Sequence, residues 1–199
     1  MSTGKAGLGY SVSSQFATAF AASSGLRVFE LPFEAAIAEI RLYWHSRRTR
    51  DPAHAHVEFF AGVNNPIACK FGPRVRPEEL VALCGRLDPG RDPGRLTLIA
   101  RLGADRVEDA LPPLIRAVGR AGHPVVWACD PMHGNGLVTA DGIKTRRFDD
   151  IMRELAGFFA ACRAEGAWPG GVHLEFTGDD VTECVGGVEP VAEHELGDR

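Results

Sequence analysis

The sequence contains no long apolar run and no closely spaced pair of cysteines. No uninterrupted apolar stretch approaches the ~18 residues of a membrane-spanning helix, so we predict no membrane partner. The five cysteines are an odd, scattered set without C-x-x-C spacing, which favours reduced cytosolic thiols over a disulfide framework or a zinc site. The first ten residues carry one lysine, and no apolar segment of the signal-peptide type follows closely. We therefore predict a cytoplasmic protein.

An excess of basic residues is also missing. The net charge is −4 and the isoelectric point is near 6.0, which disfavours general binding to nucleic acid. The 199 residues are 45% apolar and 24% charged, which is typical of a globular protein with a substantial core. These values predict one soluble globular domain.

Predicted strands and helices alternate along most of the chain. Residues 1–28 are rich in Ser, Ala and Gly and are predicted to be a flexible arm, with a frayed helix near 14–22. The periodicity predicts an α/β domain over 29–187 and an acidic tail over 188–199. Apolar runs predict strands at 66–71, 96–101, 125–129 and 171–176, with a possible fifth at 42–48; helical spacing predicts helices at 77–87, 107–121 and 147–166.

This alternation at short spacing predicts a parallel sheet of four to five strands with flanking helices. A closed eight-stranded barrel typically needs about 250 residues, more than this chain contains. We therefore expect an open sheet or a partial TIM-type barrel. Uncovered strand edges promote pairing, so we expect a partial barrel to be completed by self-association or by another chain.

Charged and metal-binding residues follow the predicted strands. The strand at 125–129 ends in Asp130-Pro-Met-His133-Gly-Asn, and strand parity places Lys70, Arg101 and Glu175 at the ends of three others. Arg48 follows the possible first strand. Because the carboxyl ends of parallel strands meet at one rim, we expect these side chains to converge, as in the active sites of α/β barrels.

The chemistry predicted for this rim is anion binding beside a metal. Arg48, Lys70 and Arg101 form a cationic set suited to phosphate or carboxylate. His133 and Glu175 are nitrogen and oxygen ligands suited to manganese, cobalt, zinc or iron. Taken singly, each arginine is more often a solvated or ion-paired residue, and each histidine more often a structural hydrogen-bonding group.

Two further features leave alternatives open. His54 and His56 have a spacing that would chelate a metal on a strand, but ordinary surface histidines are the more frequent explanation. Asp130 is a possible general base at the same rim. Convergence across several consecutive strand ends is what favours a site.

Several segments resemble the class II, plant-type 3-deoxy-D-arabino-heptulosonate 7-phosphate (DAHP) synthases. The resemblance covers about residues 41–187 and is carried most specifically by DPMHGN at 130–135, KTRRF at 144–148, GGVHLE at 170–175 and TECVGG at 182–187. That family condenses phosphoenolpyruvate with erythrose 4-phosphate in the shikimate pathway. The resemblance implies aromatic or related secondary metabolism, a divalent metal, and a TIM-type barrel.

The resemblance also implies roles for individual residues. The family's phosphoenolpyruvate contacts fall on Arg48, Lys70 and Arg101, and two of its metal ligands fall on His133 and Glu175. Trp44 matches a tryptophan at the edge of the family's site. The implied partners are phosphoenolpyruvate and a phosphorylated sugar aldehyde.

The match also departs from the family pattern. The family's barrel begins before the matched segments and continues beyond them, so we expect two of four metal ligands and much of the aldehyde site to lack counterparts here. The family has a glutamate immediately before the position of Arg48. This chain has Arg47 there, which reverses the charge. Two functions therefore stay open: a shortened synthase-type enzyme, or a catalytically impaired relative that acts as a partner or regulatory subunit and retains the anion site.

Overall fold

The computed structural model describes residues 40–42, 53, 55–174, 182–188 and 190–196, and the structural statements below concern these residues. Several sequence predictions fall elsewhere. The arm at 1–28, residues 43–48 of the possible fifth strand, and the side chains of Trp44, Arg48, His54 and Glu175 lie outside the described residues.

Eight strands and four α-helices are described along this part of the chain, followed by a 3₁₀ turn at Glu193–Glu195. In chain order they are β1 Ile40–Leu42, α1 Ala55–Ala61, β2 Ile67–Phe71, α2 Pro77–Leu87, β3 Leu96–Ala100, α3 Val107–Arg120, β4 Val126–Cys129, β5 Gly136–Val138, β6 Lys144–Arg147, α4 Phe148–Ala164, β7 Pro169–Val172 and β8 Cys184–Val185.

Five of the strands form one parallel sheet in the order β1-β2-β3-β4-β7. This order confirms the predicted α/β class and the parallel sheet, and it is compatible with part of a TIM-type barrel. Strands β2, β3 and β4 are aligned side by side. Lys70 pairs with Ile99, and Ile99 pairs with Ala128. The carboxyl ends of β2, β3 and β4 therefore lie side by side.

The two faces of this sheet carry side chains of different size. Ala68, Ile99 and Ala128 form a buried cluster of mostly small residues on one face. On the opposite face Phe71 and Trp127 make an edge-to-face contact, with ring centroids 6.2 Å apart. The large apolar residues of the second face need helices as cover, and the burial of their side chains supplies most of the driving force for folding.

The helices follow their sequence signals closely. Helix α2 begins at Pro77, as predicted, with Glu78 and Glu79 in its first turn, where the helix dipole favours negative charge. Helix α3 tolerates two prolines in its second turn. Helices α2, α3 and α4 pack in chain order, and α4 buries an apolar stripe that includes Ile151, Leu155 and Phe158.

The structure corrects two expectations. Ala55–Ala61 is a helix with His56 exposed, not a strand suited to chelation. Strand β7 ends at Val172, so His173 lies beyond the strand, although its N–H still bonds the Cys129 carbonyl. Strand β7 lies earlier in the chain than the predicted strand for a physical reason. A Cβ at Gly170 would lie 2.2 Å from a Val126 methyl group, so the close packing of β7 on β4 is centred on this glycine.

A second, three-stranded sheet was not predicted from the sequence. Strands β5 and β6 form an antiparallel hairpin, and β8 pairs with β6 in parallel. These strands are short and carry little apolar periodicity, which explains why the pattern did not reveal them.

Two further observations bear on the predicted cellular context. Within the described residues, no helix is both long and apolar enough to span a membrane. The five cysteines are free thiols, and four of them are buried.

Candidate functional site

Three charged residues extend the small-residue face of the sheet at its carboxyl edge. Lys70, Arg101 and Asp130 each lie two positions beyond a member of the buried Ala68, Ile99 and Ala128 cluster. Because side chains alternate along a strand, all three continue the same face. The strand parity used on the sequence therefore places Lys70 and Arg101 correctly, and it places Asp130 beside them.

Asp130 is the centre of the hydrogen-bonding at this edge. Its side chain is fully buried, and its Oδ2 lies 2.6 Å from the Lys70 Nζ and 2.7 Å from the His133 Nδ1. Its Oδ1 accepts the backbone N–H groups of Met132 and His133 at 3.0 and 3.1 Å. One carboxylate thus fixes a lysine from β2 and a histidine from the loop after β4.

This environment keeps Asp130 ionised. Burial by itself would raise the pKa of the carboxyl, but the hydrogen bond with His133 and the contact with Lys70 hold the pKa of Asp130 well below its usual range. Both oxygens are engaged, so the carboxylate is an electrostatic anchor. The lowered pKa makes Asp130 a weak base, and its possible role as a general base stays a prediction.

Arg101 supplies an unsatisfied donor at the same edge. Its backbone N–H bonds the Phe71 carbonyl at 2.9 Å, which fixes the residue beside β2. Its Nε is buried and has no hydrogen-bond partner within the described part of the chain. A buried guanidinium N–H without a partner is costly, and an anionic ligand would satisfy it.

Glu154 of α4 joins the loop after β3 to the loop after β4. Its Oε1 accepts the N–H groups of Leu102 and Gly103 at 2.8 and 2.9 Å, and its Oε2 accepts the Asn135 Nδ2 at 2.7 Å. Asn135 also donates to the Pro131 carbonyl and accepts the Ala104 N–H. The loops that follow Arg101 and contain His133 are therefore held to one carboxylate.

The two loops approach too closely for side chains at their contact. A Cβ on Gly134 would lie 2.5 Å from the Gly103 nitrogen, and Gly103 itself has φ +89°. Glycine is required at both positions, at the first for space and at the second for its backbone conformation.

The small sheet borders the site and encloses a cavity beside it. Arg146 of β6 donates from Nε to the Met132 carbonyl at 2.9 Å and pairs with Glu183 at 3.5 Å. The adjoining cavity has a volume of about 720 Å³, and its lining includes His133, Leu137, Lys144, Arg146 and Glu183. A concave, charged space therefore opens next to His133.

The structure brings together three of the six predicted site residues. Lys70 and His133 meet on Asp130, and Arg101 occupies the strand end between β2 and β4. Arg48, Trp44 and Glu175 are among the residues not described. Sequence reasoning missed Glu154, although a signal existed: a glutamate at 154 interrupts the apolar stripe of a helix that buries residues 151, 155 and 158.

Of the two predicted metal ligands, His133 and Glu175, only His133 lies within the described residues. Within the described residues, no group of three or more His, Cys, Asp or Glu side chains is arranged to hold a metal ion. His133 nevertheless has the support that metal-binding histidines usually have, since its Nδ1 bonds a carboxylate, which orients the opposite ring nitrogen. The donor present fits a divalent transition metal.

Comparison with known proteins decides the family. The sequence model of the Class-II DAHP synthetase family matches residues 38–199. This chain belongs to that family. The match includes the strand ends that carry Lys70, Arg101 and Asp130, as well as His133 and Glu154.

Three relatives show how the family match extends to individual proteins. The chain is 49% identical over 158 residues to a phospho-2-dehydro-3-deoxyheptonate aldolase of Streptomyces coelicolor, covering 79% of this chain and 35% of the relative. It is 48% identical to the same-named protein of Mycolicibacterium smegmatis, covering 78% and 34%. A probable phospho-2-dehydro-3-deoxyheptonate aldolase of Pseudomonas fluorescens is 52% identical, covering 71% and 35%. The chain spans about a third of the length of these relatives.

The ionised state of Asp130 generates a pH prediction. Asp130→Asn should lower the free energy of unfolding by about 3–5 kcal/mol at pH 7, because it removes one charge of a buried ion pair with Lys70. The lowered pKa of Asp130 adds stability above the usual carboxyl pKa of about 4, and this stability is lost as the pH falls below that value. Urea unfolding from pH 7 to pH 3 should show the wild-type advantage shrinking in acid.

Asp105→Asn is the matched control for this prediction, because Asp105 is 85% exposed and pairs with Arg153 at the surface. It should change stability by less than about 0.5 kcal/mol at all these pH values. A wild-type advantage over Asp130→Asn that stays constant with pH would contradict the ionised anchor.

Proposed function

We propose that this chain provides the phosphoenolpyruvate site of a class II DAHP synthase-type reaction, in which phosphoenolpyruvate condenses with a phosphorylated aldose such as erythrose 4-phosphate. The observation that carries the proposal is the junction of Lys70, Asp130 and His133, with Arg101 on the strand between. Family membership and the names of three relatives support the reaction class.

The cations of this edge suit the anionic groups of phosphoenolpyruvate. Arg101 provides a planar guanidinium for bidentate contact with a carboxylate or phosphate, and Lys70 provides a compact charge. Lys70 is only 4% exposed, so its charge acts in a region with little competing water. Arg48 is proposed as the third cation, with Trp44 at the edge of the site, on the basis of the family resemblance.

His133 fits one position of a divalent metal site, and Glu175 is proposed as a second ligand. Asp130 holds the Nδ1 side of the imidazole, which selects the tautomer whose Nε2 carries a lone pair. A bound manganese, cobalt, zinc or iron ion would polarise the aldehyde carbonyl as a Lewis acid. Asp130 thereby orients the histidine and neutralises Lys70 with a single carboxylate.

The proposed reaction balances with water as the third reactant. C3 of phosphoenolpyruvate bonds to the aldehyde carbon, whose oxygen takes up a proton, and water adds at C2 as inorganic phosphate departs. Arg101 and Lys70 hold the carboxylate and phosphate of phosphoenolpyruvate during these steps and offset the negative charge of the departing phosphate. The cavity of about 720 Å³ beside His133 offers space for the aldose, with Lys144 and Arg146 in its lining.

The second candidate function is a partner or regulatory subunit that retains the anion site without turnover. The specific observation that favours it is the pair of cations at this edge, Lys70 held on Asp130 and Arg101 with its unsatisfied Nε, because an anion can bind to them without a metal. Under this hypothesis the chain binds phosphoenolpyruvate independently of metal.

We also propose that the sheet is extended by self-association. Strands β1 and β7 lie at the two edges of the five-stranded sheet, and within the described residues no strand pairs with their outer sides. Edge strands with free backbone groups favour further pairing. Adding strands at these edges would lead toward a closed TIM-type barrel.

The anion site is tested by removing its unsatisfied donor. Arg101→Ala should weaken phosphoenolpyruvate binding by about 1.5–3 kcal/mol, because a charge-assisted contact is lost. Isothermal titration calorimetry of phosphoenolpyruvate into the purified protein measures this change. Arg106→Ala, an exposed arginine in the same loop, is the control and should bind normally. Equal dissociation constants for Arg101→Ala and wild type would refute the assignment.

The metal site is tested on the same titration with and without Mn²⁺. His133→Ala should abolish any tightening of phosphoenolpyruvate binding by Mn²⁺, since it removes a ligand, and it should leave metal-free binding largely intact. His56→Ala, on the exposed face of α1, is the control and should respond to Mn²⁺ as the wild type does. Metal-independent binding by the wild-type protein would favour the partner-subunit function over the enzyme.

Self-association is tested by sedimentation velocity at micromolar concentration. The wild-type protein should sediment as an oligomer, and Val172→Lys should shift it toward the monomer, because a lysine on an edge strand opposes further pairing. A folded wild-type monomer at this concentration would contradict the proposal.

A further inference from the structure

Glu154 is a buried carboxylate whose partners all belong to the candidate site. It is fully buried in α4, yet it bonds no neighbour in its own helix through its side chain. Its contacts go to Leu102 and Gly103, directly after Arg101, and to Asn135, two residues after His133. A buried carboxylate is costly unless its hydrogen bonds are satisfied, so its position at this junction calls for a specific role.

We propose that Glu154 is a positioning residue that fixes the Arg101 loop relative to the His133 loop and so couples the anion-binding part of the site to the metal-binding part. The inference rests on the proposed function for its ligands. Its geometric basis, one carboxylate shared by two loops, is independent of that function.

The hydrogen-bond pattern requires two acceptor oxygens. Oε1 faces two backbone N–H groups of one loop, and Oε2 faces the amide N–H of Asn135 in the other. Asn135 cannot reverse its amide, since Nδ2 also donates to the Pro131 carbonyl and Oδ1 accepts the Ala104 N–H. A glutamine at position 154 would offer one acceptor only, and its NH₂ group would face another NH₂ group.

Among the residues that the structure describes, no cation neutralises Glu154 in the way that Lys70 neutralises Asp130. Burial raises the pKa of Glu154, and the nearby Asp130 acts in the same direction, while the N–H groups of Gly103 and Leu102 oppose the rise. The carboxylate is therefore held by hydrogen bonds alone. Such an arrangement depends strongly on each of its donors.

Glu154→Gln separates the two sides of the junction. We expect the amide oxygen to keep the two bonds to Leu102 and Gly103, because losing two donors costs more than losing one. The bond to Asn135 is lost, which loosens the Asn135 side chain and with it the Ala104 N–H. Amide hydrogen exchange followed by NMR should then show Ala104 exchanging at least about tenfold faster, with Leu102 and Gly103 changed by less than about threefold.

Ligand binding provides the functional readout. In Glu154→Gln the metal-free affinity for phosphoenolpyruvate should change by less than about threefold, since the Arg101 side is retained, while the apparent affinity for Mn²⁺ should fall about tenfold. A loss of general stability would instead weaken the binding of both phosphoenolpyruvate and Mn²⁺. Glu108→Gln, which removes an exposed carboxylate from α3, should leave both affinities and the exchange of Ala104 unchanged.

Restoring the missing acceptor tests the mechanism directly. In the double variant Glu154→Gln with Asn135→Asp, the new carboxylate faces the glutamine NH₂ group and still accepts the Ala104 N–H, although the bond to the Pro131 carbonyl is lost. Slower Ala104 exchange and tighter Mn²⁺ binding than in the single variant would support the proposal.

Several outcomes would overturn it. Uniformly faster exchange at residues 102, 103 and 104 in Glu154→Gln would mean that Glu154 contributes to general stability only. If the variant instead has the same amide exchange rates and the same Mn²⁺ affinity as the wild-type protein, Glu154 does not position the loops. If the wild-type protein binds neither phosphoenolpyruvate nor Mn²⁺, the proposed function fails, and the exchange of Ala104 in the single and double variants alone decides whether Glu154 joins the loops.

Discussion

The burial of an ionised Asp130 is the constraint on which the described site depends. A carboxylate with no exposure is stable only when its charge and its lone pairs are satisfied, and here Lys70, His133 and two backbone N–H groups satisfy them. Each of these donors is thereby fixed in place. The lysine is held at the end of β2, the imidazole is held in one orientation, and the start of the loop after β4 is folded back on itself. Removing the carboxylate would take away a contact that all three share, and in this sense Asp130 acts as an anchor.

A second buried carboxylate, Glu154, works by a different balance of forces. Asp130 has a cation and a histidine beside it, and its pKa is lowered; Glu154 has only N–H donors, and burial raises its pKa. The first arrangement tolerates burial through charge pairing, and the second through hydrogen bonds from two loops. Because Asn135 belongs to the loop that Asp130 also organises, the two carboxylates act on the same segment. The close contact of Gly103 with Gly134 lets this double support form.

The sequence contained much of this arrangement, for identifiable reasons. Strand parity depends only on the alternation of side chains, so it located Lys70 and Arg101 at the carboxyl edge, and the helices α2, α3 and α4 followed from caps and apolar spacing. The sequence did not reveal which residues meet across elements. Glu154 lies 51 positions from Gly103, and no local pattern connects them. The hairpin β5–β6 has weak periodicity, and β7 is set by the packing of Gly170 against Val126, a tertiary contact that strand propensity does not register.

The contacts described above for Lys70, Arg101 and His133 join partners within residues 67–154. The sheet register, the Asp130 contacts and the Glu154 contacts involve no residue beyond this span. These contacts are formed by strands β2 to β4, helix α4 and the loops between them, and β1 and β7 form the outer edges of the sheet. Turnover, in contrast, would need further metal ligands and a bound aldose. Under the proposed function, anion binding and turnover therefore depend on different groups, and the metal dependence of phosphoenolpyruvate binding would distinguish a synthase from a subunit that has kept only the anion site.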